Sequence, residues 1–539
     1  MMPTQLNAWL LLQNVTAHAG SVEIVSAEPG GAHRTTFADF ARRAQQLMHA
    51  LDHLELAHGE RVATLAWNHY RHLECYFAAP CTRRVLHTLN ARLSVEDLGY
   101  LIEHADDRAL LVDPDQLATV EALTPALGRV RHIIVLADEV PASWRATSAP
   151  WRDKLRAYEP LLAAQPERYP PQDIAEDTPL GLCYTSGTTG RPKGVVYTHR
   201  STFLHALATT SAAACAVGPG DVVLPIVPMF HAHAWGLVHA AVLVGAKLVL
   251  GGRDHEPASL VDLLARERVT VSAGVPTVWL TIADELTRRG AKLPDLRRVF
   301  IGGSQPPTSL IERYRDELGI DIHQVWGMTE TSPLASVTWP RAAMRDWPEE
   351  VLTAKVRAQA GLPLPGIAVS IRGPNGAEVP RDGRTLGDLL VRGPWVVDHY
   401  YKGEGAESFT DDGWFRTGDV AAASPEGYFV IGDRTKDLIK SGGEWISSVD
   451  MERAIMAMPE VAEAAVIAIP DPRWQERPLA CVVVRAGAVL TLAQVRDHLK
   501  AHGFASWQLP DRLEALAAVP KTSVGKFDKK ALRARFAGG

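Results

Sequence analysis

Residues 184–195 read Tyr-Thr-Ser-Gly-Thr-Thr-Gly-Arg-Pro-Lys-Gly-Val, and this stretch has the composition of an anion-binding loop. Seven of its twelve residues are Ser, Thr or Gly, and Lys193 adds a positive charge. Glycines let backbone N–H groups approach oxygen atoms closely, and hydroxyl groups donate further hydrogen bonds. The stretch therefore predicts a phosphate-binding loop; the alternative is a plain Gly/Ser surface turn.

The spacing of the loop excludes the Walker A motif, in which a lysine directly follows the second glycine and precedes Ser or Thr. Here Arg191 and Pro192 follow the second glycine, and Lys193 precedes another glycine. Residues 195–198, Val-Val-Tyr-Thr, predict a strand, whereas a P-loop leads into a helix. The loop is therefore predicted to bind phosphate in another way.

Length and composition limit the classes of protein to which the chain can belong. A chain of 539 residues predicts at least two domains. The net charge of −6, without a basic block, argues against nucleic-acid binding. The five scattered cysteines form no CxxC pair and predict a reduced, cytoplasmic location. No signal peptide or membrane span is expected, because the longest apolar stretch, 236–250, contains His239 and Lys247 and is interpreted as a buried helix and strand.

Hydrophobic patterns divide the chain into three regions. Between about residues 37 and 301, strands such as 61–65 alternate with helices such as 276–286, which predicts parallel sheets covered by helices. Residues 361–432 are rich in Gly, Pro and Asp and predict a small antiparallel or barrel-like unit. The predicted fold class is α/β, with a large N-terminal domain, residues 1–433, and a smaller mobile α+β C-terminal domain, residues 434–539.

Four further motifs follow the loop: Trp-Gly-Met-Thr-Glu-Thr at 326–331, Gly-Trp-Phe-Arg-Thr-Gly-Asp at 413–419, Gly-Asp-Arg at 432–434 and Pro-Lys-Thr-Ser-Val-Gly-Lys at 520–526. In this order, and over nearly the full length, the chain resembles the adenylate-forming superfamily of acyl-CoA synthetases, luciferases and peptide-synthetase adenylation domains. Residues 440–447, Lys-Ser-Gly-Gly-Glu-Trp-Ile-Ser, are most similar to medium-chain fatty acyl-CoA and methylthiopropionate-type CoA ligases.

The resemblance implies a nucleotide site assembled from these motifs. Trp326 is expected near adenine, Asp419 accepts hydrogen bonds from the ribose hydroxyls, and Arg434 contacts ribose or phosphate. Taken singly, such an Asp or Arg is equally typical of a surface ion pair, which contributes little. The full set expected to bind ATP or AMP is Thr185, Ser186, Gly187, Thr188, Thr189, Lys193, Gly303, Ser304, Trp326, Gly327, Met328, Asp419 and Arg434.

Catalysis in this superfamily joins two anions, since a carboxylate attacks the α-phosphate of ATP, and positive charge must neutralise both. The resemblance implies that Lys526 does so at the reacting oxygens. Lys521 and Lys529 lie nearby, and composition alone does not choose among them; a lysine on a solvated tail is the alternative. Thr329 is expected to contact phosphate, and Glu330 to help hold Mg²⁺, which prefers hard oxygen ligands and bridges phosphates.

The second half-reaction passes the acyl group to a thiol, and the resemblance implies that the C-terminal domain rotates to admit it. Lys436 is the expected hinge, since hinges are a few residues that absorb a large backbone change. The pantetheine arm of CoA is expected to lie along the segment after the hinge, for which a plain Gly-Gly hairpin is the alternative. The residues concerned are Lys440, Ser441, Gly442, Gly443, Glu444 and Trp445.

The motif Phe-His-Ala-His-Ala-Trp-Gly at 230–236 has two interpretations. A His-x-His pair can bind a metal, but His239 is the only further candidate close by, so a metal site is disfavoured. By resemblance, His231 is a catalytic-site residue between the acyl pocket and the thiol tunnel. The expected acyl-pocket residues are His233, Trp235, Gly302 and Pro333, although Trp235 is also typical of a core residue.

The chain departs from the close relatives at position 233 and at positions 83 and 84. Position 233 is more often an amide than a histidine, which changes the polarity expected of the acyl pocket. Arg83 and Arg84 replace small, Gly-rich sequence, and three roles stay open for them: binding a partner, forming an ion pair with an acidic surface, or shaping a substrate channel. Neither departure removes a residue needed for adenylation.

The sequence therefore predicts an ATP-dependent, AMP-forming acid–CoA ligase that uses ATP, Mg²⁺ and CoA. A medium-chain or short substituted aliphatic acid is the favoured substrate, and an aromatic acid is the close alternative. A carrier-protein thiol, an amine or nitrite could replace CoA as the acceptor. A non-catalytic, ligand-sensing relative is disfavoured because Lys526, Glu330 and Asp419 are all present. A homodimer is left open.

Overall fold

The computed structural model of the protein describes residues 2–185, 191–434, 437–441, 444–522 and 526–536, with the backbone alone at 434, 444 and 445. Its strands are β1 (Glu23–Glu28), β2 (Gly31–Thr36), β3 (Arg61–Leu65), β4 (Val85–Thr88), β5 (Asp107–Val112), β6 (His132–Val135), β7 (Leu155–Ala157), β8 (Pro179–Tyr184), β9 (Gly194–Thr198), β10 (Val222–Pro225), β11 (Lys247–Leu250), β12 (Val271–Gly274), β13 (Arg298–Ile301), β14 (Asp321–Gly327), β15 (Leu334–Val337), β16 (Leu362–Pro363), β17 (Ala368–Arg372), β18 (Gly387–Arg392), β19 (Phe415–Ala423), β20 (Phe429–Arg434), β21 (Ile439–Ser441), β22 (Glu444–Ile446), β23 (Val461–Asp471), β24 (Gln475–Val484) and β25 (Arg512–Ala515).

The helices alternate with these strands through most of the chain. They are α1 (Ala8–Ala19), α2 (Phe37–His53), α3 (Tyr70–Cys81), α4 (Val95–Ala105), α5 (Leu117–Ala122), α6 (Ala142–Arg145), α7 (Tyr158–Ala163), α8 (His199–Thr210), α9 (Leu237–Val244), α10 (Pro257–Arg266), α11 (Pro276–Arg289), α12 (Thr308–Arg313), α13 (Glu349–Leu352), α14 (Ser448–Met456), α15 (Leu492–Ala501) and α16 (Lys529–Phe536). No helix in the described part of the chain combines the length and apolar character needed to cross a membrane.

Two large sheets with parallel centres form the first part of the molecule, as the alternating pattern predicts. One has the strand order β7-β6-β5-β3-β4-β8-β9, and the other the order β16-β15-β14-β13-β12-β10-β11-β1-β2. One apolar cluster joins helices α1, α2, α3 and α9 to strands of both sheets. The stretch interpreted as a buried helix and strand is α9 followed by β11, so that prediction is confirmed.

The parallel centres of these sheets position the candidate site. Ligands of open α/β sheets bind beyond the carboxyl ends of the strands. Strand β8 leads into the phosphate loop, β13 into the Gly302-Gly303-Ser304 turn, and β14 into the motif that contains Glu330. Three motifs that are far apart in sequence are therefore brought to equivalent strand ends.

The remaining chain forms two smaller sheets. Strands β17-β18-β19-β20 form the antiparallel unit expected between residues 361 and 432. Strands β22-β21-β24-β23, with β25 beside β24, pack with α14, α15 and α16 around two apolar clusters of their own. The predicted α/β fold with a smaller α+β part at the C-terminus is confirmed.

Arg84 is held inside the first part of the molecule rather than offered to a partner. It is 3% exposed, and its guanidinium donates to Leu56 O (2.9 Å) and to Asp52 Oδ1 (2.8 Å). Arg83 is more exposed and donates to Asp173 O (2.6 Å). Both residues directly precede β4, so they lie at the amino end of this strand, whereas the candidate site lies at the carboxyl ends of the strands. Of the three roles left open, the structure supports the ion pair for Arg84.

We expect Arg84→Met to lower the free energy of unfolding by about 2 kcal/mol, because it leaves a buried carbonyl and a carboxylate without their donor. Urea unfolding curves of the full chain measure the shift in midpoint. Arg83→Met is the matched control and is expected to change stability by under about 0.5 kcal/mol, because the hydrogen bond from Arg83 to Asp173 O is exposed to solvent. Equal shifts for both variants would show that Arg84 is not the stabilising member of the pair.

Candidate active site

The base of the phosphate loop is closed by the antiparallel pair β8 and β9. The N–H of Thr185 donates to Lys193 O (3.0 Å), and the N–H of Lys193 donates to the Thr185 hydroxyl oxygen (3.1 Å). Thr185 thus stabilises the base of the loop with its side chain. The other predicted loop residues lie outside the described part of the chain: Ser186, Gly187, Thr188 and Thr189.

Tyr400 connects the loop lysine to the predicted Glu330. Its hydroxyl donates to Glu330 Oε1 at 2.6 Å, and the ammonium of Lys193 lies 5.0 Å from the centroid of its ring. Glu330 is 6% exposed. Burial and the neighbouring Glu330 carboxylate raise the pKa of Tyr400, so its hydroxyl stays protonated and remains a donor. Sequence reasoning missed Tyr400, because no motif surrounds it and its partner is 70 residues away.

The segment that follows β14 is held by backbone contacts. The hydroxyl of Tyr197 donates to Thr329 O (2.8 Å), and the N–H of Met328 donates to Pro333 O (3.1 Å). A Cβ at Gly327 would lie 1.9 Å from the same Pro333 oxygen, so only glycine permits this approach. Pro333, predicted for the acyl pocket, therefore contacts the nucleotide motif through its carbonyl.

A cavity of about 260 Å³ lies between the two parts of the molecule and contains much of the predicted nucleotide set. The indole N–H of Trp326 donates to Asp419 Oδ2 (3.0 Å), and the Trp326 ring packs edge-on against Phe429. Asp419 is 4% exposed and is paired across the sheet with Arg434. The predicted residues that line the cavity are Gly303, Ser304, Trp326, Gly327, Asp419 and Lys526.

Lys526 reaches this cavity from the C-terminal part of the chain. Its Cε lies 3.3 Å from the position that a Cβ would take at Gly303, which has a φ of +84°. Burial, with a smaller contribution from the positive charge of Lys526, lowers the pKa of His231 to about 3. His231 is therefore a neutral imidazole at pH 7.

The predicted acyl wall is built on an unusual turn. Ala232, His233, Ala234 and Trp235 all have left-handed backbone angles, with φ between 42° and 56°, and Gly236 follows at 75°. Left-handed conformations cost non-glycine residues roughly 1–2 kcal/mol each, so the surrounding packing must hold the turn.

The turn directs Trp235 towards the turn after β13. The Trp235 Cη2 atom lies 3.1 Å from the position of a Cβ at Gly302, and Val325 Cγ2 lies 2.7 Å from the same position. The structure therefore brings Trp235 and Gly302 together, as the shared acyl-pocket prediction requires.

His233 faces a different environment from Trp235. It is 2% exposed, and its ring packs with Tyr76 (5.0 Å between centroids), Tyr197 (5.2 Å) and His239 (5.8 Å). A Cβ at Gly181 would lie 2.5 Å from the His233 ring. Burial lowers the pKa of His233 well below its usual value, so this ring is neutral. It lies in the interior beside β8.

The residues predicted to face CoA do not line the nucleotide cavity in the described part of the chain. The hydroxyl oxygen of Ser441 accepts from Arg477 Nη1 (2.9 Å), and the N–H of Lys440 donates to Glu476 Oε2 (2.7 Å). Glu444 and Trp445 belong to β22. Lys436, Gly442 and Gly443 lie outside the described residues.

Metal-binding side chains are not clustered in the part of the chain that the structure describes: no group of three or more His, Cys, Asp or Glu residues could hold a metal ion there. The buried carboxylate of Glu330 supplies hard oxygen atoms of the kind that Mg²⁺ prefers.

Comparison with known proteins identifies the family. Residues 11–401 match the family model described as AMP-binding enzyme, and residues 450–526 match the AMP-binding enzyme C-terminal domain. The chain is 47% identical to a long-chain-fatty-acid–CoA ligase of Thermus thermophilus, over 99% of this chain and 96% of that protein. It is 40% identical to a 3-methylmercaptopropionyl-CoA ligase of Ruegeria lacuscaerulensis, over 99% and 98%.

A solved structure supports the same assignment. The ATP-bound MatB from Rhodopseudomonas palustris has a TM-score of 0.83 and 26% identity, over 98% of this chain and 99% of that chain. The chain therefore belongs to the AMP-binding enzyme family. The predicted family, fold class and enzyme class, an acyl-CoA ligase, are confirmed.

We expect Tyr400→Phe to lower kcat/KM for ATP roughly tenfold or more, because hydrogen bonds to buried charged groups contribute about 1.5–3 kcal/mol. Initial rates of AMP formation at varied ATP measure the effect. Tyr401→Phe is the matched control, since the Tyr401 hydroxyl donates to Ala105 O (3.5 Å). Equal losses in the two variants would argue against a specific contribution of the Tyr400–Glu330 bond.

Proposed function

We propose that this protein is an ATP-dependent carboxylate–CoA ligase that acts in two half-reactions. A substrate carboxylate oxygen attacks the α-phosphorus of ATP, so that pyrophosphate leaves and an acyl-adenylate forms. The thiolate sulfur of CoA then attacks the acyl carbon, a thioester forms and AMP leaves. Family membership and the named CoA ligases among the relatives support this reaction.

The observation that carries the proposal is the position of Lys526. It lies against Gly303 in the cavity that also contains Trp326 and Asp419, although it comes from a separately packed part of the chain. Lysine is a compact point charge on a flexible stem, which suits the bridging of a carboxylate and a phosphate oxygen. In this arrangement Asp419 accepts from the ribose and Lys526 neutralises the two reacting anions.

Two further charged residues, Lys193 and Glu330, would help to bind the pyrophosphate that leaves. Lys193 lies at the base of the phosphate loop, on the same tyrosine ring whose hydroxyl holds Glu330. We infer that Glu330 holds Mg²⁺ together with the phosphates of ATP. The bound ion would neutralise phosphate charge, and Thr329 would contact the phosphates beside it.

The second half-reaction requires a different arrangement of the C-terminal part. Lys526 is at the cavity, whereas Ser441 and Lys440 have partners within the C-terminal part and do not line it. We infer that residues 434–539 rotate as a domain against residues 1–433, with the hinge at Lys436. Rotation would withdraw Lys526 and bring the segment 440–445 to the acyl-adenylate.

The acid is proposed to be a medium-chain or short substituted aliphatic acid. The wall formed by Trp235 and Gly302 is apolar and close to the reacting centre, and the relatives include ligases named for a long-chain fatty acid and for 3-methylmercaptopropionate. His231 is neutral, since burial and the charge of Lys526 both lower its pKa. A cytoplasmic location and a homodimer remain predictions.

A panel of carboxylic acids tests the proposal through AMP release with and without CoA. We expect aliphatic acids of about four to ten carbons, including thioether-substituted ones, to give the highest kcat/KM, because the Trp235 wall excludes water from an apolar chain. A preference for benzoates would instead indicate an aryl-acid ligase. AMP release with an amine, nitrite or a carrier protein, but none with CoA, would overturn the proposed acceptor.

Lys526→Ala is expected to reduce acyl-AMP formation by at least about a thousandfold, because the two anions lose the charge that bridges them. The same variant should convert supplied acyl-AMP and CoA to thioester at close to the normal rate. Exchange of labelled pyrophosphate into ATP measures the first step, and thioester formation the second. Lys521→Ala is the control, since Lys521 pairs with Glu463 (2.6 Å) away from the cavity. Equal loss of both steps in Lys526→Ala would contradict domain rotation.

A further inference from the structure

Hydrogen bonds from the end of the antiparallel unit reach the first turn of α14. The N–H and the hydroxyl of Ser448 both donate to Asp433 Oδ2, at 2.7 Å and 2.5 Å. The hydroxyl of Ser447 donates to Gly432 O. Asp433 belongs to β20, where it pairs with Val420 of β19, whereas Ser447 and Ser448 belong to the C-terminal part. These bonds therefore cross the proposed domain boundary.

The same serine is bonded to the helix that follows the catalytic loop. The ammonium of Lys529 donates to Ser448 Oγ (2.6 Å) and pairs with Glu452 Oε1 (2.7 Å). Lys529 is the first residue of α16, three positions after Lys526. An unbroken series of hydrogen bonds thus runs from Asp433 through Ser448 to Lys529.

The whole series is shielded from solvent. Asp433 is 1% exposed, Ser448 0% and Glu452 7%, and the Lys529 side chain is 11% exposed. Burial opposes the charge on Lys529, but the carboxylates of Glu452 and Asp433 raise its pKa above the usual value, so the ammonium stays charged. Hydrogen bonds of this kind, charged and out of water, are stronger and more directional than exposed ones.

We propose that Asp433, Ser448 and Lys529 form a latch that holds the C-terminal part in the arrangement for adenylation and opens for thioester formation. The inference rests on the two half-reactions proposed above. Asp433, Lys526 and Lys529 all line the nucleotide cavity, so the position of Lys526 relative to the nucleotide depends on this series. The three residues are positioning residues and do not touch the reacting atoms.

Rotation would divide the series at one defined place. Lys529, Glu452 and Ser448 lie in the C-terminal part and would move together, so the Lys529–Glu452 ion pair survives. The two bonds to Asp433 and the bond from Ser447 to Gly432 would break, because their acceptors stay in β20. An equilibrium between two domain arrangements is shifted only by interactions that are present in one arrangement and absent from the other. These three bonds would be present only in the arrangement for adenylation.

Ser448→Ala is the principal test, since it removes the hydroxyl that joins Asp433 to Lys529 and changes little else. We expect pyrophosphate exchange to fall about tenfold, while thioester formation from supplied acyl-AMP stays unchanged or rises. Ser309→Ala is the matched control, because Ser309 is exposed and lies at the same gap between the two parts. Lys529→Met should show the same split between the two steps. Equal losses in both steps, or no change in either, would overturn the latch.

A distance measurement tests the latch without requiring the carboxylic acid substrate to be known. The five native cysteines are buried, so fluorophores can be placed selectively on Leu207→Cys and Val489→Cys, two exposed positions on either side of the boundary. With ATP bound, we expect Ser448→Ala and Asp433→Ala, each introduced into the doubly labelled protein, to shift the distribution of energy-transfer efficiencies. The reference is the doubly labelled protein without either substitution. An unaltered distribution in both variants would overturn the latch. Absence of exchange with every acid in the unchanged chain would instead overturn the proposed function.

Discussion

Two anions can meet only where cations are held close together, and in the proposed reaction these cations come from two separately packed parts of one chain. Lys193 directly precedes β9, and Lys526, from the C-terminal part, lies against Gly303. Neither part can supply the complete charge alone. In the proposed mechanism, the first half-reaction therefore depends on a contact between two parts of the fold, and domain rotation requires that this contact be reversible.

Buried hydrogen bonds hold the carboxylates of the candidate site in place. Tyr400 fixes Glu330 from one side while its ring lies under Lys193, and Trp326 fixes Asp419. Each bond joins segments that are distant in sequence, so the first part of the fold presents a preorganised surface. Preorganised groups contribute to catalysis because they need not be reoriented during the reaction.

Much of the fold and part of the site could be predicted from the sequence. Alternating strands and helices are local patterns, and predicted strands such as Arg61–Leu65 and Arg298–Ile301 coincide with β3 and β13. Trp326, Asp419 and Lys526, which the structure brings to one cavity, could be singled out because they stand in ordered motifs. Tyr400 and Ser448 were missed because their partners are distant in the chain and no periodic pattern marks a single buried hydroxyl.

The left-handed turn could not be predicted, for a related reason. Local propensity argues against positive φ at Ala232, His233, Ala234 and Trp235, and only packing from outside the segment stabilises it. His205 supplies part of that packing, since its ring would lie 2.4 Å from a Cβ at Gly236 and its Nε2 accepts from the N–H of Leu334 (3.0 Å).

As part of the proposed acyl pocket, this turn also limits how substrate preference can be changed in this scaffold. A substitution in the turn must tolerate positive φ as well as fit the acyl chain, and few side chains do both. The Val325 side of Gly302, where Val325 Cγ2 lies 2.7 Å from the position of a Cβ, is ordinary β14 backbone and carries no such restriction. Variation in chain-length preference, whether by natural drift or in a designed library, should therefore be concentrated on that side, while the turn itself changes slowly.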